Sequence, residues 1–144
     1  LQSPTQKMSK SDENPNGYIT LLDEEAVIVN KFKRAVTDSE TEVVYREGKD
    51  GINNLMVIYS SLTGKKLDEI AGEFAGKGYG DFKKAVGQTV ADTLRPIREE
   101  HGRLMKDKAY LEECCREGAE KAQRLAARTL DKVKRKVGMY PAAR

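Results

Sequence analysis

The stretch "DFKKAVGQTVADTLRPIREE", residues 81–100, decides the fold class. Its apolar residues Phe82, Val86, Val90, Leu94 and Ile97 recur every three or four positions, the period of one helix face. Asp81 stands where an N-cap would sit, so the pattern predicts a long helix opening there. Pro96 lies inside it, removes the hydrogen bond to Asp92, and predicts a kink.

Working outward, the same period recurs. Asp23 reads as an N-cap, with Glu24 and Glu25 where the helix dipole favours acids, and Ala26, Val29, Phe32 and Val36 carry a helix to about residue 36. Thr37, Asp38 and Ser39 break it. A polar connection containing Val43, Val44 and Tyr45 leads to a helix over about 52–62, with Ile52, Leu55, Met56 and Tyr59 on one face and Gly64 as its stop. Residues 66–75 form a short helix before the glycine-rich run 76–80. Beyond residue 100, Leu111, Cys115, Gly118, Ala122, Leu125, Thr129, Val133 and Val137 step by three or four, and Ala119, Ala122, Ala126 and Ala127 would allow close helix approach. Gly138 ends this region, with Pro141 just past it. Residues 1–22, rich in Pro, Asn and Gly, read as loop with a short strand at 18–22. The expectation is an all-α helical bundle.

The totals restrict the rest. At 144 residues the chain holds one ordinary domain, and 34% charged residues mark a well-charged surface. No apolar run approaches the roughly 20 residues of a membrane helix, and no secretory h-region is present. Net charge is +3, concentrated late: from Arg116 onward nine basic residues, Arg144 included, face three acidic ones. Part of that bias suits a helix C-terminus. Cys114 and Cys115 are adjacent, fit neither a disulfide nor a zinc spacing, and read as one core and one surface thiol, compatible with the cytoplasm. No metal site is expected.

The chemistry candidate is "KMSKS", Lys7–Ser11, followed by Asp12 and Asn14. Two ammonium groups on a mobile loop can meet the charge that builds on a departing polyphosphate. Serine hydroxyls and loop N–H groups add hydrogen bonds to phosphate oxygens, and a loop can close and reopen.

With "KMSKSDENPNGYITLLD", "KRAVTDSE" (33–40), "GINNLMVIYSSLTG" (51–64), "GKGYGDFKKAV" (76–86) and "TLRPIREE" (93–100) in this order, the chain resembles the bacterial tryptophanyl-tRNA synthetases, a family of class I aminoacyl-tRNA synthetases. The resemblance implies that Lys7 and Lys10 act on the phosphates of ATP, with Ser9, Ser11 and the Met8 backbone completing the nucleotide contacts. Mg²⁺ would come with ATP, and neither would be held by this chain alone. It also implies that 1–22 is the tail of a catalytic domain and 23–144 a helical anticodon-binding domain. The Rossmann catalytic domain with its His-rich signature would be absent, since the single histidine, His101, lies in a helical segment. The chain would then match roughly the C-terminal two-fifths of the enzyme and be inactive by itself.

Expected partners are tRNA(Trp), tryptophan and ATP, within a cytoplasmic homodimer and with no membrane. Candidates for the anticodon are Arg34, Asp38, Asn53, Asn54, Lys83 and Lys84, the lysines lying beside Tyr79 and Phe82, since cations next to aromatics suit an RNA loop. Tyr59 and Phe82 read rather as core. The alternatives are a stand-alone RNA-binding helical module and the corresponding part of a tyrosyl-type synthetase.

Overall fold

The computed structural model describes residues 1–139; Pro141 and Arg144 lie outside them. Five helices follow in order: α1 (Glu25–Lys33), α2 (Asp50–Thr63), α3 (Leu67–Glu73), α4 (Tyr79–Leu104) and α5 (Lys108–Lys136). No strand occurs among the described residues. The all-α reading holds, and the short strand expected at 18–22 is corrected. There the backbone closes a turn, Asp23 N–H donating to the Thr20 carbonyl at 3.2 Å. The chain divides into two units, Leu1–Glu99 and the part from Glu100 onward.

In the first unit the predicted faces form the core. Ile52, Leu55 and Met56 of α2 and Phe82 and Val86 of α4 are fully buried, with Ile28 and Phe32 of α1 and Ile70 of α3. Tyr59, Phe74 and Phe82 pack edge to face at centroid distances of 4.9–5.9 Å. Such pairs add to the burial of their area because ring edges are positive and faces negative. Gly64 ends α2 at φ 74°, a left-handed position that glycine takes without a Cβ penalty. Gly51 has another role, since a Cβ there would lie 2.2 Å from the Val36 carbonyl oxygen. Its missing side chain lets α2 start against the backbone of Val36 and Thr37.

Several boundaries move for identifiable reasons. The first helix stops at Lys33, short of Val36, because the Val36 N–H is taken by the Leu1 carbonyl at 3.1 Å. Asp23 is not its N-cap: Glu24 holds that position without a side-chain bond, while the Asp23 carboxylate pairs with Lys31. α4 opens at Tyr79, which puts Asp81 inside the first turn where the dipole favours it. Pro96 lies inside α4, which continues to Leu104. Ile97, expected on the buried face, is 46% exposed because the core beneath α4 ends near Ala91.

The second unit holds the last turn of α4 and the 29-residue α5. Asp107 caps α5 by accepting from Tyr110 N–H at 3.0 Å, and Gly138 follows its end at φ 72°. The period of three and four is real helix, but α5 buries no residue and Leu125 is 67% exposed. Cys114 and Cys115 are therefore both exposed, which corrects the expectation of one core thiol. The spacing correctly reports amphipathic helix; it says nothing about whether a covering surface lies within the same chain.

Candidate functional site

The segment carrying Lys7–Ser11 is anchored at both ends. On one side the Leu1 side chain is buried and its carbonyl accepts from Val36 N–H, while Gln2 Nε2 donates to the Arg34 carbonyl at 2.9 Å. On the other, Lys31 is buried against the segment. Its Nζ donates to the Tyr18 carbonyl at 3.0 Å and to Asp23 Oδ2 at 2.6 Å, and lies 5.2 Å from the Tyr18 ring centroid. Burial alone would raise the Asp23 carboxyl, but bonds from Lys31 and Thr20 more than offset this and hold it below its ordinary value.

Between the anchors the chain is organised by side-chain-to-backbone bonds rather than a helix. Ser9 accepts twice, Ser11 N–H reaching its Oγ at 3.3 Å and Asp12 N–H its carbonyl at 3.2 Å. Asp12 Oδ1 then accepts from Asn14 N–H at 2.9 Å, and Asn14 Oδ1 from Asn16 N–H at 3.0 Å. These Asx turns rigidify the downstream arm, so Asp12 is spent on backbone rather than on the lysines. The Met8 sulfur accepts from Ile19 N–H at 3.4 Å and borders an apolar groove of about 360 Å³ with Ile19, Leu21, Leu62 and Leu94. Lys7 and Lys10 are exposed and make no ion pair among the described residues. The arrangement therefore presents two uncommitted ammonium groups and two hydroxyls on a tethered arc, which is what binding a polyphosphate requires.

The residues considered for RNA fall into two groups. Asp38, Asn53 and Lys83 are tied into the fold. Asp38 Oδ1 accepts from the Tyr79 hydroxyl at 2.7 Å, Asn53 exchanges bonds with the backbone of Arg46 at 2.7 and 3.2 Å, and Lys83 Nζ donates to the Ala35 carbonyl at 2.8 Å. Burial lowers the Lys83 pKa, with Asp38 acting in the opposite direction. Arg34 and Lys84 are exposed and Asn54 is half-buried. The side chains of these three make no hydrogen bond or ion pair among the described residues, although the Arg34 carbonyl accepts from Gln2. Tyr79 and Phe82 are both buried, so neither offers a free ring beside Lys83; Tyr45, half exposed next to Arg46, does.

The residue that sequence reasoning missed is Lys49. It looks like a surface lysine between Gly48 and Asp50, yet it is 2% exposed. Its Nζ lies 2.8 Å from Glu40, 2.7 Å from the Tyr79 hydroxyl, 3.0 Å from the Glu42 carbonyl and 3.8 Å from Asp38. Burial pushes its pKa down, but the bonds to Glu40 and Tyr79 outweigh this and raise it, so Lys49 stays charged. Burial raises the Tyr79 hydroxyl too, keeping it neutral and able to donate. Lys49 thereby pins the 38–46 connection to α4. The only sequence signal was the local excess of acids at Asp38, Glu40 and Glu42 with a cation following in the same connection.

Among the described residues no group of three His, Cys, Asp or Glu side chains could hold a metal ion, and no helix is long and apolar enough to cross a membrane. His101 is exposed near the end of α4.

The chain is 48% identical over 138 residues to the tryptophan–tRNA ligase of Clostridium tetani, covering 96% of this chain and 41% of the relative. It is 45% identical to the ligase of Wolinella succinogenes, covering 96% of this chain and 42% of the relative. The crystal structure of tryptophanyl-tRNA synthetase from Mycoplasma pneumoniae superposes with a TM-score of 0.69 at 27% identity, covering 97% of this chain and 43% of that one. The chain thus spans about two-fifths of the length of the relatives it matches. The family model for tRNA synthetases class I (W and Y) matches residues 1–95, most of the described chain, and on that match the chain belongs to this family of class I synthetases.

Proposed function

We propose that this chain is the C-terminal part of a tryptophan–tRNA ligase, with Lys7–Ser11 as the loop that closes on ATP and residues 23–144 as the helical anticodon-binding region. The observation that carries the reading is the tethered loop itself: Lys7 and Lys10 are exposed and make no ion pair among the described residues, on an arc fixed at both ends, in a chain nearly half identical to tryptophan–tRNA ligases along almost its whole length.

In the proposed reaction the tryptophan carboxylate attacks the α-phosphorus of ATP and pyrophosphate leaves. Negative charge grows on the leaving oxygens, and the ammonium groups of Lys7 and Lys10 stabilise it there. Ser9 and Ser11 donate to phosphate oxygens, and the Met8 backbone lies near the adenine. Mg²⁺ enters with ATP as part of the substrate. A hydroxyl of the terminal ribose of tRNA(Trp) then attacks the carbonyl carbon of the tryptophanyl adenylate, forming the ester as AMP leaves. Arg34, Asn54 and Lys84 are the freest of the anticodon candidates. Asp38, Asn53 and Lys83 shape the same region from within the fold, and Tyr45 supplies an accessible ring for stacking. The complete enzyme is read as a cytoplasmic homodimer, its amino-acid pocket and first signature lying in a catalytic part outside these residues.

The test is ATP–pyrophosphate exchange by the protein that carries this chain together with its catalytic part. Exchange stimulated by tryptophan and not by tyrosine is expected. Stimulation by tyrosine instead would move the chain to the tyrosine branch of the family, and no amino-acid-dependent exchange would leave an RNA-binding module without ligase activity.

A further inference from the structure

The C-terminal half of α5 has a charge pattern that helix stability does not require. From Lys121 to Lys136 it holds seven basic residues and one acid, Asp131. Arg124, Arg128, Lys132 and Arg135 are spaced by four, four and three, which aligns them on one face, about 6 Å apart along the axis for each step of four. All four are exposed. The preceding half of the helix behaves differently. Arg116 pairs with Glu113 and with Glu120 at 2.7 Å, and Lys121 with Glu117 at 3.5 Å. Past Lys121 such pairing stops among the described residues, Arg124 making only a 3.4 Å bond to the Glu120 carbonyl.

Two ordinary explanations are insufficient. Cations complement a helix dipole within its last turn, which accounts for Lys134, Arg135 and Lys136. Arg128 and Arg124 lie two and three turns earlier. A solvated helix face normally alternates signs at i,i+4, as the first half of α5 does. Like charges at that spacing, as at 124, 128 and 132, are destabilising by a few tenths of a kcal/mol per pair. A regular one-signed ladder gains from a partner whose negative charges also repeat, and guanidinium groups fit phosphate oxygens in bidentate fashion.

We propose that Arg124, Arg128, Lys132 and Arg135 form an RNA backbone-binding stripe, distinct from the residues considered for the anticodon and contacting phosphates without reading bases. The inference rests on the reading of the chain as part of a tRNA ligase. The apolar stripe on another face of α5 takes no part in it.

The experiment is fluorescence anisotropy of labelled unfractionated bacterial tRNA with the 144-residue chain across a salt series. The comparison protein carries Arg124→Gln, Arg128→Gln, Lys132→Gln and Arg135→Gln, since glutamine is a comparable helix former. Each lost phosphate contact lowers the salt slope by about 0.7–0.9. The fourfold variant should therefore bind at least about tenfold more weakly at 100 mM salt with a slope shallower by about 3. Its helical circular dichroism should be retained, and an Arg103→Gln, Arg116→Gln control should change the slope by less than about 1. Unchanged affinity and slope in the fourfold variant, with tight binding by the parent, would overturn the stripe while leaving the ligase reading intact. Equal binding of polyglutamate with the same salt slope would overturn it in favour of an acidic protein partner. Absence of tRNA binding by the parent chain would overturn the stripe and count against the ligase reading as well. Stripe-dependent binding without tryptophan-dependent exchange would sink the ligase reading alone.

Discussion

Replacing Lys10 with alanine in the complete enzyme should lower tryptophan-dependent pyrophosphate exchange by about 10²–10³, while tryptophan affinity changes by no more than a few-fold. Removing one preorganised donor aimed at developing charge has an effect of that size. The split follows from where the charge is. An exposed ammonium with no pairing carboxylate among the described residues contributes little to the resting fold, so its loss leaves the scaffold intact. In the proposed role it acts only in the step in which pyrophosphate departs, so kcat should fall far more than KM for tryptophan rises. Lys7→Ala should act in the same direction. Equal losses in exchange rate and tryptophan affinity would instead assign Lys10 a part in general folding or substrate binding, and an unchanged rate would remove it from the chemistry.

Lys49→Met is expected to be the most damaging single polar substitution in the first unit, costing about 3 kcal/mol of unfolding free energy. Breaking a buried ion pair by removing one partner leaves the other charge uncompensated. Here Asp38 and Glu40 lose their common cation, and the Tyr79 hydroxyl loses one of two partners. Glu40 is half exposed, so water recovers part of the loss, which places the estimate at the lower end of the usual 3–5 kcal/mol. Tyr79→Phe, which removes one hydroxyl, should cost about 1–2 kcal/mol.

The pH dependence gives a second readout. Burial works to raise the Asp38 carboxyl, but bonds from Tyr79 and the Glu40 N–H and the Lys49 charge bring it below its ordinary 3.8. Glu40 is held below its ordinary 4.5, mainly by Lys49. A depressed carboxylate pKa stabilises the fold above the ordinary value, and that stabilisation disappears as pH falls through the native one. The parent should therefore lose stability below about pH 4, and Lys49→Met should show a flatter acid limb. The raised Lys49 pKa contributes at all lower pH and is lost only above its ordinary 10.5. Urea unfolding of parent and variant between pH 2 and pH 8 checks the acid limb. A cost under about 1 kcal/mol with an unaltered acid limb would mean that the network carries little of the stability.

What the residues disclosed follows from the range of the interactions involved. Helix faces were legible because periodicity is local: Phe82, Val86 and Val90 lie on the buried side as their spacing requires. The stop at Gly64 was legible because a left-handed cap favours one residue type. Long-range contacts left no such trace. The early end of α1 depends on a bond from Val36 to Leu1, far apart in sequence, and Lys49 is buried by a tyrosine that reaches it from α4. The exposure of α5 was unreadable for a similar reason, since spacing reports a face and not its cover. Lys7–Ser11 stood out because five residues of particular types cluster, whereas the RNA candidates rested on charge and aromatics. Burial then separated Lys83, which holds a carbonyl, from Lys84, which does not.

The most direct test of the central claim is an acetylation footprint of Lys7 and Lys10 in the complete enzyme, with and without ATP and tryptophan. If Lys7–Ser11 closes on the nucleotide, both lysines should become several-fold less reactive when ATP and tryptophan are present, while exposed Lys108 reacts at a constant rate. Equal reactivity of Lys7 and Lys10 in both states, in a preparation that sustains tryptophan-dependent exchange, would contradict the account.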